Sequence, residues 1–198
     1  MLLGLLGFRW LASSETSADA SGEGLLAASI YPEARALKDL DLVDADGNDF
    51  TLADLRDRWS LLFFGFTNCP DICPDTLARL ADALDRLETM RVETLPQVVF
   101  ISVDPERDRG QSMAEYVEFF DPDFRAATGD DEALQALTRQ LGALYVRRSP
   151  DESGFYSVDH SGMVVIIDPQ TRILGRFPPP IDADTVAADL FELIRRGR

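Results

Sequence analysis

Two largely apolar runs, SLLFFGF at Ser60–Phe66 and QVVFISV at Gln97–Val103, constrain this chain more than any other feature. A half-exposed strand alternates apolar and polar residues, so runs like these belong to strands covered on both faces. Between them lies DTLARLADALDRLETM, with Leu77, Leu80, Leu84 and Leu87 at the spacing of one helix face. Buried strand, amphipathic helix and buried strand in that order predict parallel pairing, and hence an α/β sheet flanked by helices.

The flanking segments extend this plan. LDLVDADGNDFTL alternates around Asp46-Gly47, a hairpin turn signal ahead of the first central strand. SMAEYVEFF and DEALQALTRQLG read as helices, the second stopped by Gly142. ALYVRR, GMVVIID and RILGRF read as strands, the last two joined antiparallel by a turn at Asp168-Pro169-Gln170. DADTVAADLFELIRR closes the chain as an amphipathic helix. At 198 residues the whole is one domain with a mixed central sheet.

The opening MLLGLLGFRWLA, residues 1–12, is apolar but shorter than the ~20 residues a spanning helix needs. The small and polar residues that follow it read as a flexible linker over 13–35, leaving 36–198 as the folded domain. An apolar stump and a linker together suggest the end of a membrane anchor. The net charge of −16 and the single lysine, Lys38, exclude a nucleic-acid binder, which needs a basic face.

The only two cysteines, Cys69 and Cys73, sit in GFTNCPDICPDTL, on the loop that leaves the first buried strand. Sites in open α/β sheets gather beyond the carboxyl ends of the strands, so this loop is well placed for chemistry. Pro74 suits a first helical turn and puts Cys73 about at the N-cap. A helix N-terminus favours thiolate, while Asp71 and Asp75 oppose it.

Three uses compete for the pair: two small buried apolar side chains, a redox couple, or soft metal ligands. Structural zinc wants four protein ligands, and here two sulfurs and one imidazole, His160, exhaust the cysteine and histidine supply. Three such ligands suit copper, as Cu(I) or, with an added oxygen, as Cu(II). Asp159 stands beside His160, and carboxylates often orient metal-bound imidazoles. Sequence spacing alone does not bring residue 160 to residues 69 and 73.

GFTNCPDICPDTL, FISVDPERD and YSVDHSGMVVIIDP, in that order, resemble the Sco/SenC family of cytochrome c oxidase assembly proteins over about Leu40 to Ile194. The resemblance implies a thioredoxin-like fold with an extra N-terminal hairpin, and one copper ion, Cu(I) or Cu(II), held by Cys69, Cys73 and His160. It implies a domain on the outer, periplasmic side of the inner membrane, tethered by an N-terminal helix. Its implied partners are the oxidase copper-site subunit or another copper protein, and an upstream copper donor. Asp104 falls where the family carries an aspartate near the metal loop. Like Asp159, it is expected to stand behind the metal ligands or to face a partner; its plain alternative is a turn or capping role ahead of Pro105. Many relatives have histidine just before the first cysteine, where this chain has Asn68.

Other thiol proteins of this fold fit less well. Thioredoxins space their cysteines one residue tighter, and peroxiredoxins want threonine and proline where Phe66 and Leu62 stand. The expected function is a copper chaperone, a binding protein before an enzyme. The alternative is a thiol–disulfide oxidoreductase that reduces the cysteines of the oxidase copper site, with Cys69 and Cys73 as its redox pair.

Overall fold

The computed structural model describes residues 24–197. In chain order the elements are β1 (Ser29–Ala36), β2 (Asp41–Asp44), β3 (Asp49–Thr51), a short 3-10 turn (Leu52–Leu55), β4 (Ser60–Gly65), α1 (Ile72–Thr89), β5 (Gln97–Ser102) and α2 (Gln111–Glu118). Then come β6 (Arg125–Thr128), α3 (Asp131–Leu141), β7 (Tyr145–Arg147), β8 (Val158–His160), β9 (Val164–Ile167), β10 (Arg172–Phe177) and α4 (Ala183–Arg196).

Eight strands form one sheet in the order β1-β10-β9-β4-β5-β6-β2-β3. The two apolar runs are β4 and β5; they pair in parallel, residue for residue, from Ser60 with Gln97 to Gly65 with Ser102. β6 continues the parallel block beside β5, and β9 lies antiparallel to β4. The β2–β3 hairpin extends the far edge by pairing with β6. The sheet is mixed, as expected.

Alternation within the buried runs divides the core in two. Leu61, Phe63, Val98, Phe100, Val164 and Ile166 face a layer built from α1, α2 and α4. Leu62, Phe64, Val99, Ile101, Val165 and Ile167 face the layer of α3 and the N-terminal hairpin. Period-2 geometry sends neighbouring side chains to opposite faces, so a strand covered twice needs apolar residues at every position. The turn between β9 and β10 closes around Asp168, whose buried carboxylate accepts from the Gln170 and Arg172 amides at 3.0 and 2.9 Å.

One boundary is corrected. Residues 29–35, assigned above to the linker, belong to β1, which pairs antiparallel with β10 at the sheet edge. An edge strand with one solvated side carries no apolar run, and a register shift between Ile30 and Arg35 breaks what alternation there is. β10 accommodates it at Gly175, where a Cβ would press on the Ser29 carbonyl oxygen. The residues before β1 are tied down too: the buried Asp189 of α4 accepts from the amides of Leu26, Ala27 and Ala28 at 2.7, 2.8 and 2.7 Å. The ALYVRR segment forms a strand as expected; it is β7, which stands outside the main sheet and pairs with β8 as a separate two-stranded ribbon. β6 and β8 are too short for a sequence pattern to mark. The stump over 1–12 and the first part of the linker, residues 13–23, lie outside the described residues. No helix among the described residues is long and apolar enough to cross a membrane.

Candidate metal centre

The loop from β4 to α1 folds tightly, with the Cys69 amide donating to the Phe66 carbonyl at 3.1 Å. The helix begins at Ile72, so Cys73 is its second residue rather than its N-cap. The N-cap is Asp71, whose side chain makes no capping bond. The Cys73 amide donates instead to the Cys69 sulfur at 3.4 Å. One of the amide donors left open at every helix start is thereby spent on a sulfur. Cys69 is half-buried and Cys73 fully buried. The pocket for the Cys73 sulfur exists because residue 65 is glycine: a Cβ there would lie 2.7 Å from that sulfur and 2.7 Å from the Phe100 ring.

His160 ends β8, on the ribbon rather than on the main sheet. Its Nε2 is 3.3 Å from the Cys73 sulfur and its Nδ1 is 3.4 Å from the Ser161 carbonyl. Phe63 and Phe66 hold the ring edge-on, each with centroids 6.0 Å away. The two sulfurs and an imidazole nitrogen all lie within 4.8 Å of one another. Residues separated by 87 positions thus converge on one point.

The sulfurs are electrostatically unequal. Hydrogen bonding from Cys73 holds the Cys69 thiol down at about 3, with burial opposing and His160 assisting. The same contact, reinforced by burial, pushes the Cys73 thiol upward. One proton therefore serves the pair and rests on Cys73, while Cys69 is a thiolate across the neutral range. Alkylation of the reduced protein by iodoacetamide should accordingly hold a flat rate between about pH 5 and 8, modifying Cys69 first. An ordinary thiol speeds up about tenfold per unit below its pKa of about 8.5. A tenfold slope on Cys69, followed by peptide mapping, would contradict this assignment.

The SCO1/SenC family model matches residues 30–195. The chain belongs to the SCO1/SenC family. The mouse SCO2 homolog, a mitochondrial protein, is 35% identical over 191 residues, covering 96% of this chain and 73% of that one. The crystal structure of Arabidopsis thaliana ScoI with copper bound superposes with a TM-score of 0.73 at 32% identity, covering 86% of this chain and 99% of that one. Yeast Sco1 with copper bound gives a TM-score of 0.75 at 28% identity, with 81% and 89% covered. The fold is thioredoxin-like, as in these Sco structures.

Of the other residues singled out in this Sco chain, neither joins the group. The Asp159 carboxylate pairs with exposed Arg148 and does not orient the His160 ring. Neighbouring residues on a strand point to opposite sides, so adjacency in sequence works against that contact. Asp104 is fully buried and faces no partner; it accepts from the Tyr156 hydroxyl at 2.7 Å and from Arg107. Asp108 went unmarked in the sequence. Buried completely, it accepts from the Thr67 amide at 2.7 Å, the Thr67 hydroxyl at 2.5 Å and the Ser102 hydroxyl at 2.6 Å. It clamps the cysteine loop to the end of β5. The repeat of aspartate in SVDPERD was the available signal, since a second carboxylate so close to a site loop is costly to bury without partners.

Proposed function

We propose that this chain binds one copper ion between Cys69, Cys73 and His160 and passes it to a copper centre of cytochrome c oxidase. The observation that carries the reading is the convergence, among the described residues, of two sulfurs and one imidazole, with no carboxylate in the group, within 4.8 Å. Thiolates are soft ligands and select Cu(I) over the hard divalent ions, and a set of three falls short of structural zinc. Cys69 meets an incoming ion already ionised; Cys73 releases its proton as its sulfur takes up the metal. Transfer proceeds by ligand exchange, an acceptor thiolate replacing one site ligand at a time.

The family resemblance supports a domain outside the cytoplasm, on the periplasmic side of the inner membrane, with the apolar residues 1–12 read as the end of a tether. The acceptor would be the oxidase copper-site subunit or another copper protein, and the donor an upstream copper carrier. The test is an anaerobic Cu(I) titration of the reduced protein against a colorimetric competitor. One tightly held ion per chain is expected; affinity no better than that of a free dithiol would end the copper reading.

The inequality of the sulfurs supports a second reading, as a dithiol reductant of the oxidase copper site. The Cys69 thiolate attacks an acceptor disulfide, forming a mixed disulfide and releasing one acceptor thiolate. Cys73 then gives up its proton and displaces the second acceptor sulfur. Two electrons pass to the acceptor and a Cys69–Cys73 disulfide remains. This route needs no imidazole ligand. Exchange with an oxidised copper-site peptide that persists in His160→Ala, beside weak copper binding by the parent protein, would favour it.

A further inference from the structure

We infer that Arg107 is a positioning residue for the metal centre, holding His160 at the two cysteines through Tyr156 and Phe66. The inference rests on the copper reading for its purpose and on geometry for its content. Arg107 leaves the turn after β5 and meets three segments. Its Nε donates to Asp104, which is fully buried in the same turn. Its Nη1 donates to the Tyr156 carbonyl at 3.0 Å, and its guanidinium carbon lies 3.7 Å from the centre of the Tyr156 ring. It also faces the Phe66 ring at 5.7 Å. Tyr156 closes the circuit by donating its hydroxyl to Asp104 at 2.7 Å.

The clasp matters because of what it fastens. Tyr156 lies on the ribbon loop leading into β8, four residues ahead of His160. Phe66 ends the β4 run and meets the His160 ring at 85°, with 6.0 Å between centroids. The ribbon has no strand pairing to the main sheet, so side chains must set its angle. Arg147 supplies one fastening, donating to the Val103 carbonyl at 3.2 Å, and the Arg107 clasp supplies a second at Tyr156 and Phe66.

A purely structural arginine would leave one observation unexplained. Arg107 Nη2 is buried without a hydrogen-bond partner among the described residues. An orphaned donor on a charged group is a cost that packing alone would remove by substitution. A planar cation that stacks on Tyr156 while bridging a carboxylate and a carbonyl cannot be replaced by a smaller group. It joins the β5 turn, the β4 terminus and the His160 ribbon at one atom cluster.

The experiment is a cycle of Arg107→Met, His160→Ala and the double variant, each titrated anaerobically with Cu(I) against the same competitor. Arg107→Met should weaken binding about tenfold, within the range for losing a partner that orients a ligand. In the His160→Ala background it should cost nothing further, because its effect runs through the imidazole. An equal loss in both backgrounds, or no loss in either, overturns the inference. A metal-free readout runs beside it. His160 is the sole histidine, so its ring protons give isolated NMR signals, displaced by the Phe63 and Phe66 ring currents. In Arg107→Met those signals should move toward their unfolded positions; signals unmoved from the parent protein would also overturn it. A parent protein that binds no Cu(I) would sink the copper reading and leave the NMR result to decide the positioning role. Should Arg107→Met not fold, Tyr156→Leu removes the stacked ring and runs through the same cycle.

Discussion

His160→Ala should bind Cu(I) about 100-fold more weakly than the parent protein while keeping its fold. Loss of a partner that merely orients a ligand costs about 10- to 100-fold, and loss of the ligand itself belongs at the top of that range or above. The ring is half-buried between Phe63 and Phe66, so alanine leaves a gap at the end of a ribbon outside the main sheet and spares the central packing. The competitor titration reads the affinity, and thermal unfolding of the copper-free protein reads the fold. Removing the imidazole should also raise the Cys69 thiol, because the His160 hydrogen bond is one of the contacts holding it down. The larger contribution, from Cys73, remains, so the alkylation profile should stay flat near neutrality. Unchanged copper affinity in this variant would leave the dithiol pair as the functional unit and favour the reductant.

Asp108→Ala should destabilise the protein by about 4 kcal/mol, since three hydrogen bonds to a buried carboxylate are lost at once and each bond to a charged group contributes about 1.5–3 kcal/mol. The sum falls short of three full bonds because burying the carboxylate itself carries a desolvation cost. Asp108→Asn keeps one acceptor oxygen and should lose about half as much. Chemical denaturation of the copper-free protein measures both. A loss under about 1 kcal/mol for alanine would mean that desolvation cancels the clamp. Thr67, which gives Asp108 two of its three bonds, stands two residues before Cys69. Surviving Asp108→Ala protein should therefore also lose the unequal thiol reactivity described above.

Much of this architecture could be read from residues alone, and the reason is physical. β4 and β5 announce themselves because burial on both faces admits almost no polar side chain, and α1 because its leucines keep one face. The cysteines and the histidine stand out because they are scarce. What stayed hidden has a different character. β1 is an edge strand whose partner, not its own pattern, makes it a strand. The helix start moved to Ile72 because a sulfur, absent from the usual capping rules, receives the Cys73 amide. Asp159 looked like a partner for His160 through adjacency, and strand pleating turned it toward Arg148. Asp104, Arg107 and Tyr156 meet only after the chain has folded, joining positions up to 52 residues apart. Polar contacts of that range leave no period or spacing behind.

Cys73 lies at the back of its recess, roofed by helix and floored by Gly65 and Phe100, while Cys69 stands at the mouth. Of the three candidate ligands, Cys69 and His160 are partly exposed and Cys73 is buried. An ion or competing sulfur arriving from solvent meets Cys69 or His160 before Cys73, and Cys73 is the ligand an acceptor reaches least easily. Sequence of events is thus written into shape: a visitor can be handed over at the doorway without the innermost sulfur ever meeting the recipient.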